Sequence, residues 1–298
     1  MAALTPVSPG RAWWLAARPA TLPASLVPVA VGTAVAVAEG RARALPALAA
    51  LATALALQIG ANLANDVHDF ERGADTDARR GPTRATQAGW IAPAAMRRAA
   101  IGAFAAAALC GAPLVYWGGW PIALLGVLAI AAGWLYTGGP APLGYHGLGD
   151  LLVFVFFGLV GVAGTHYVQV GALSALALAA SLPVACLATA ILVVNNLRDI
   201  ETDRAAGKRT LAVRLGPGVT RRYYALLLAA GFAVPLGLWL GGRAGPLVLL
   251  PLLTAPVAWR LARGVADASA DAGLNAALAD TARLEARFGL LLAVGILA

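Results

Sequence analysis

From about residue 20 onward the chain alternates apolar stretches of bilayer-crossing length with short polar linkers, and this alternation limits the possible folds more than any other feature. A helix needs about 20 apolar residues to cross about 30 Å of hydrocarbon, because each residue advances it by about 1.5 Å. Nine stretches meet or approach that length: residues 20–38, 44–64, 97–116, 119–137, 149–170, 174–194, 221–240, 244–262 and 284–298. The ninth runs uninterrupted only from Phe288 to Ala298, so Arg283, Glu285 and Arg287 must lie at the interface or along a protein-facing stripe. The short segments of alternating polarity that a transmembrane barrel requires are missing. The expectation is an all-α polytopic membrane protein, a single integral-membrane domain over residues 1–298 with nine spanning helices.

Composition agrees. Hydrophobic residues make up 60% of the chain and charged residues 12%, against about 25% charged in an ordinary soluble domain. No soluble fold of this size hides so much apolar surface, which excludes a soluble enzyme or a nucleic-acid binder. The net charge of +8 is a matter of topology rather than a basic patch. With the N-terminus in the cytoplasm, every Lys and Arg except Arg41, Arg43 and Arg243 falls on the cytoplasmic side, as the positive-inside rule requires. Tryptophans at residues 13, 14, 117, 120, 239 and 259 mark the expected span ends. Cys110 and Cys186 lie within apolar runs and read as small core residues.

Eight of the 14 acids fall in two segments, Asp66, Asp69, Glu71, Asp75 and Asp77 in one and Asp199, Glu201 and Asp203 in the other. An even number of spans separates them, so both face the cytoplasm. Each segment carries Asn-x-x-x-Asp at the end of an apolar helix. Asn62, Asp66 and Asp69 stand at i, i+4 and i+7; Asn195, Asp199 and Asp203 stand at i, i+4 and i+8. Both spacings put three oxygen-bearing side chains on one helix face, and His68 lies off the first face. Carboxylates turned toward one another repel, and a cation between them removes the penalty. Hard oxygen donors favour Mg²⁺, which completes its shell with water and phosphate oxygens. Arg72, Arg79, Arg80 and Arg84 follow the first segment; Arg204, Lys208 (the only lysine in the chain) and Arg209 follow the second. Acids interleaved with Arg and Lys beside a membrane point to a Mg²⁺-bound polyphosphate group.

At these residues the sequence resembles the UbiA superfamily of intramembrane prenyltransferases, whose mark is a pair of Asp-rich cytoplasmic motifs. Asn65-Asp66-x-x-Asp69 matches the first, although Gly73 occupies its last Asp position, and Asp199-x-x-x-Asp203 matches the second in full. Within the superfamily the chain is most similar to the 1,4-dihydroxy-2-naphthoate polyprenyltransferases. The similarity is carried by Arg18-Pro-Ala-Thr21, by Arg79-x-Gly-Pro-x-Arg84-x-x-Gln87-x-Gly89, by Trp134-Leu-Tyr-Thr-Gly-Gly-Pro140, by Gly147-Leu-Gly-Asp150, by Gly164-Thr-His-Tyr-Val-Gln169 and by the run from Asn195 to Gly216. Hydroxybenzoate enzymes of the superfamily carry basic residues near the position of Tyr136; this chain has Tyr136-Thr-Gly-Gly-Pro140 without Lys or Arg.

The resemblance implies a helical bundle around a central cavity open sideways to lipid. It also implies transfer of a polyprenyl chain from its diphosphate to 1,4-dihydroxy-2-naphthoate with loss of CO₂, giving demethylmenaquinol. Asp66, Asp69, Asp199 and Asp203 are then the catalytic acids, and with Asn62 and Asn195 they are the expected Mg²⁺ ligands. Arg18, Arg72, Arg79, Arg84 and Lys208 are expected on the diphosphate. Tyr136, Tyr145 and His166 are weaker candidates for the acceptor. The expected location is the bacterial cytoplasmic membrane, with the site facing the cytoplasm, membrane lipid as surroundings and no nucleic-acid partner. Two alternatives stand beside this reading. One is a transferase of the same superfamily acting on hydroxybenzoate. The other is a cation-coupled transporter, which would place its acids mid-span.

Overall fold

The computed structural model describes residues 7–75, 81–268 and 271–298, and every regular element among them is helical. Helix α1 (Pro9–Ala17) is capped by the Ser8 hydroxyl, which accepts from the Arg11 N–H. It exposes Trp13 and Trp14, as suits a helix at headgroup level. It stops at Arg18, the one non-glycine residue with positive φ (53°) among those described. One further turn, Pro19–Thr21, leads into α2 (Pro23–Ala38), and the path bends there by 47°.

Helix α3 (Ala44–Glu71) has 28 residues. At about 1.5 Å per residue it is about 42 Å long against about 30 Å of hydrocarbon, so its last turns can stand clear of the lipid tails. Helix α4 (Pro93–Leu135) is broken at Gly119, whose φ of 69° and ψ of −165° are not helical. Its two arms take up the expected stretches 97–116 and 119–137. Helix α5 (Gly149–Val170) is wound as a π-helix from Phe154 to Gly164. There follow α6 (Ala175–Arg198), the short α7 (Ile200–Ala205), α8 (Leu211–Leu240), α9 (Pro246–Asp267) and α10 (Asp271–Leu297).

Among the described residues, six helices are long and apolar enough to cross a bilayer, or seven if the bent pair Pro9–Thr21 and Pro23–Ala38 forms one span. The expected nine depends on two further features: α4 enters that count once despite its break, and α10 carries Asp280, Arg283, Glu285 and Arg287. Its charges are what keep α10 below the apolarity of an ordinary span.

Two large cores and a small one, Ala50 with Leu114 and Val168, hold the bundle together. The larger joins α2, α6, α8 and α10 through Val31, Val35, Leu187, Leu228, Leu284 and Phe288. The second joins α1, α3 and the start of α4 through Ala16, Leu63, Val67, Met96 and Phe104. Small residues bring backbones together where α5 meets α6: a Cβ on Gly158 would lie 2.0 Å from the Ala185 Cβ, a close approach typical of helices packed in lipid. Leu109, Tyr116, Trp120, Leu240 and Leu253 point outward with 72–88% of their surface exposed, which water would not tolerate and acyl chains cover. The molecule is a multi-pass membrane protein. The C-terminal ends of α3 and α6 come together at one end of the bundle, and the C-terminal ends of α2 and α5 meet at the other.

Candidate active site at the paired helix ends

Asn62, Asp66 and Asp69 share one buried face of α3; Asn62 reaches the turn after α1, and Asp66 and Asp69 both reach the segment before α4. The Asn62 amide donates to Ala17 O and to Thr21 Oγ1, both at 3.0 Å. Gln58, one turn earlier, donates to the same hydroxyl at 2.9 Å. These bonds brace the left-handed turn at Arg18, a conformation that costs a non-glycine residue about 1–2 kcal/mol. The Asp66 carboxylate accepts the backbone N–H groups of Ala85 (3.1 Å) and Thr86 (3.0 Å). Asp69 Oδ2 lies 3.1 Å from Arg84 Nη2, and Arg84 Nε lies 3.5 Å from Asp75. The Pro82–Gln87 string is therefore a clasp that folds back over α3 and seats itself on Asp66 and Asp69.

The second acidic end is built around Arg198, which is buried. Its guanidinium grips Asp199 through two bonds of 2.6 and 2.7 Å and also donates to Asn195 Oδ1 and Asn275 Oδ1, both at 2.9 Å. A guanidinium paired with a carboxylate and hydrogen-bonded through all three nitrogens is the form in which a buried charge is tolerated. Asp203 sits one turn further, on α7. Burial, reinforced by the nearby Asp199 and Asp69 carboxylates, outweighs Lys208 and Arg198 and raises its carboxyl to about 7.

Two residues join the halves. Lys208 Nζ lies 2.9 Å from Asp69 Oδ1 and 4.0 Å from Asp203 Oδ1. The Tyr145 hydroxyl donates to the same Asp69 oxygen at 2.9 Å. Tyr145 belongs to the α4–α5 connection, residues 136–148. Thr137 in that loop donates to Asn65 Oδ1 at 2.9 Å, and its carbonyl accepts from Arg72 Nε at 3.0 Å; Gly139 O accepts from Arg72 Nη2. A Cβ on Gly138 would come within 2.5 Å of the His68 ring, so only glycine lets that imidazole pack there.

Most of the expected site residues gather here, each with partners of its own. Asp69, Asp199, Asp203, Lys208 and Arg84 form the charged cluster. Asn62 has its amide nitrogen committed to the Arg18 turn, and Asn195 offers its oxygen to Arg198. Arg72 gives its Nε and Nη2 donors to two loop carbonyls. Tyr136 packs against Gly149 at the start of α5. Tyr145, expected at the acceptor, is turned onto Asp69; burial and that carboxylate raise its phenol above the ordinary value, so it is a donor and not a base. His166 is not brought to this cluster: it pairs with Glu39 at 2.8 Å at the opposite end of the bundle, because α5 carries it there. Arg79 lies outside the described residues. Sequence reasoning missed Arg198, whose only signal was its place beside Asp199. It also set aside His68, which with Glu71, Arg72, Arg97, Trp134 and Gly138 lines a cleft of about 360 Å³.

No three His, Cys, Asp or Glu side chains among the described residues converge as a metal cage; each acid meets a cationic side chain or a backbone N–H instead. The donor chemistry nevertheless fits a hard divalent cation. The Lys208 ammonium, poised between Asp69 and Asp203, shows that a positive charge is accommodated between the two acidic ends.

Residues 25–282 match the UbiA prenyltransferase family. A protein of Mycobacterium tuberculosis named 1,4-dihydroxy-2-naphthoate octaprenyltransferase is 43% identical over 270 residues, which span 90% of this chain and 91% of that one. A protein of the same name from Bacillus subtilis is 34% identical over 294 residues, covering 97% and 93%. Among solved structures, a UbiA homolog from Aeropyrum pernix K1 superposes with a TM-score of 0.68 at 15% identity, over 91% of this chain and 96% of that one. A UbiA homolog from Archaeoglobus fulgidus, solved bound to GPP and Mg²⁺, gives 0.63 at 16% identity, over 94% and 99%.

Proposed function

Because the chain belongs to the UbiA prenyltransferase family, we propose that it transfers a polyprenyl chain from polyprenyl diphosphate to 1,4-dihydroxy-2-naphthoate with loss of CO₂, the step that yields demethylmenaquinol. The names carried by relatives at 34–43% identity over 90% or more of the chain support the acceptor. The observation that supports the chemistry is the meeting of the two acidic helix ends around Lys208.

Asp69, Asp199 and Asp203 are the residues that would hold Mg²⁺, with Asp66 behind them fixing the clasp. When bound, the cation offsets the charge that builds on the departing diphosphate. Lys208 and Arg84 already stand at the carboxylates and supply donors for phosphate oxygens. The C–O bond of the prenyl diphosphate breaks, its electron pair leaves with the diphosphate, and an allylic cation remains. The apolar helices around it exclude water. The electron-rich ring attacks that cation at the carbon bearing the carboxylate, and the carboxylate departs as CO₂, leaving its bonding pair to restore the ring. The same reading puts the site at the cytoplasmic face of a bacterial inner membrane, N-terminus inside.

The test uses acceptor labelled in its carboxyl group, with purified protein, Mg²⁺ and a polyprenyl diphosphate. Labelled CO₂ released only when metal and diphosphate are both present is the expected result. Prenylated product that retains the carboxyl label, or prenylation of hydroxybenzoate instead, would overturn the acceptor.

A further inference from the structure

The α4–α5 loop has no Lys or Arg between Tyr136 and Leu148, yet four basic residues from elsewhere close on it. Arg72 donates to Thr137 O and Gly139 O. The Arg209 backbone N–H donates to Tyr145 O at 2.8 Å, and Arg214 Nη2 donates to His146 O at 2.9 Å. Lys208 and Arg72 both lie over the Tyr145 ring, with the ammonium 4.8 Å and the guanidinium carbon 5.5 Å from its centroid. The phenol hydroxyl and the Lys208 ammonium share one oxygen of Asp69, each at 2.9 Å.

From this arrangement we propose that Tyr145 is the positioning residue that sets prenyl diphosphate affinity, holding Lys208 and Arg72 on its ring face and Asp69 by its hydroxyl. Among the described residues it is the one side chain that touches the first acidic helix end, the basic residue following the second, and the Arg that follows the first motif. A cation above an aromatic face is stabilised by the ring quadrupole most strongly where water is scarce. The loop therefore presents cations it does not encode, by fixing those of its neighbours. Held in this way, the ammonium keeps its place at the carboxylates when no phosphate is bound and meets an incoming diphosphate without first being ordered. This deepens the transferase reading and rests on it for the identity of the ligand.

The test separates the two functions of the ring. Tyr145→Phe keeps the cation platform and removes the bond to Asp69; Tyr145→Leu removes both. The readout is Mg²⁺-dependent binding of geranyl diphosphate to the detergent-purified full chain without acceptor, followed by KM for diphosphate and for naphthoate during turnover. Expected is a graded loss of diphosphate affinity, several-fold for Phe and about tenfold or more for Leu, with the acceptor KM unchanged. Tyr145→Trp, which retains a ring face, should recover much of the Leu defect. Wild-type diphosphate affinity in both variants, or a rise confined to the acceptor KM, would overturn the proposal. A wild-type protein that binds geranyl diphosphate but does not prenylate naphthoate would instead count against the transferase reading alone, since the binding series stands without it.

Discussion

Lys208 and Asp69 are separated by nearly half of the chain and meet at 2.9 Å. That contact brings the acidic end of α3 and the acidic end of α6 into one electrostatic unit, with Asp203 completing it at 4.0 Å. Opposite charges at such distances in a half-buried setting interact far more strongly than across open water. A helix overhang, a folded-back clasp and one lysine are what assemble the unit.

Asp66 has two duties in this geometry, and its substitution should show both. Its carboxylate accepts the Ala85 and Thr86 N–H groups, and an amide retains only one acceptor oxygen. Asp66→Asn should abolish turnover and also loosen the clasp, seen as faster hydrogen exchange at Ala85 and Thr86. Normal protection at those two amides would show that the clasp is held by other contacts.

Arg198 is the buried charge on which the second acidic end depends. Removing one partner of a buried ion pair costs about 3–5 kcal/mol because the other is left uncompensated. Arg198→Met should therefore lower the Tm steeply, and Arg198→Met combined with Asp199→Leu should regain much of the loss. A double variant as unstable as the single one would mean that Arg198 acts through Asn195 and Asn275 rather than through Asp199.

The pH response of the metal-free protein follows from Asp203. Its folded value of about 7 is above the ordinary 3.8, chiefly through burial. The fold thus favours the protonated form, and this group's contribution to stability is fully present below the ordinary value and lost as pH rises through about 7. A divalent cation needs the ionised form. Stabilisation of the Tm by Mg²⁺ should accordingly be small near pH of about 5 and large near pH of about 8. An equal Mg²⁺ effect at both values would remove Asp203 from the cation site.

Glu285 lies in α10, fully buried, with neither carboxyl oxygen hydrogen-bonded among the described residues. An intramembrane acid without a partner costs about 2.5 kcal/mol or more. Glu285→Leu should raise the Tm and leave turnover near wild type. Loss of stability in that variant would show that the carboxyl serves a bound water or another partner.

The sequence made the helices legible because bilayer thickness imposes one length on every span, and the two acidic motifs were legible because helical spacing sets their faces. What stayed hidden depends on contacts between distant segments. Nothing local says that Asp66 will be capped by Ala85 and Thr86, or that Arg72 will spend its donors on Thr137 and Gly139. Arg198 looked like one more cytoplasmic charge until Asn275 closed around it. His166 was attached to the site by resemblance, while the direction of α5 carries it to the far end, where it meets Glu39. The partner of Tyr145 was hidden as well: an exposed loop tyrosine and a half-buried donor to Asp69 look alike in sequence.

The central claim is that the two acidic helix ends form one cation-dependent diphosphate site, and a double-mutant cycle measures it most directly. Mg²⁺-dependent binding of a prenyl diphosphate would be compared among wild type, Asp69→Asn, Asp203→Asn and the double variant. The account predicts that each single change weakens binding by about tenfold or more and that the double variant is little worse than either, a coupling of about 1 kcal/mol or greater. Losses that simply multiply, or an Asp203→Asn protein that binds like wild type, would contradict it.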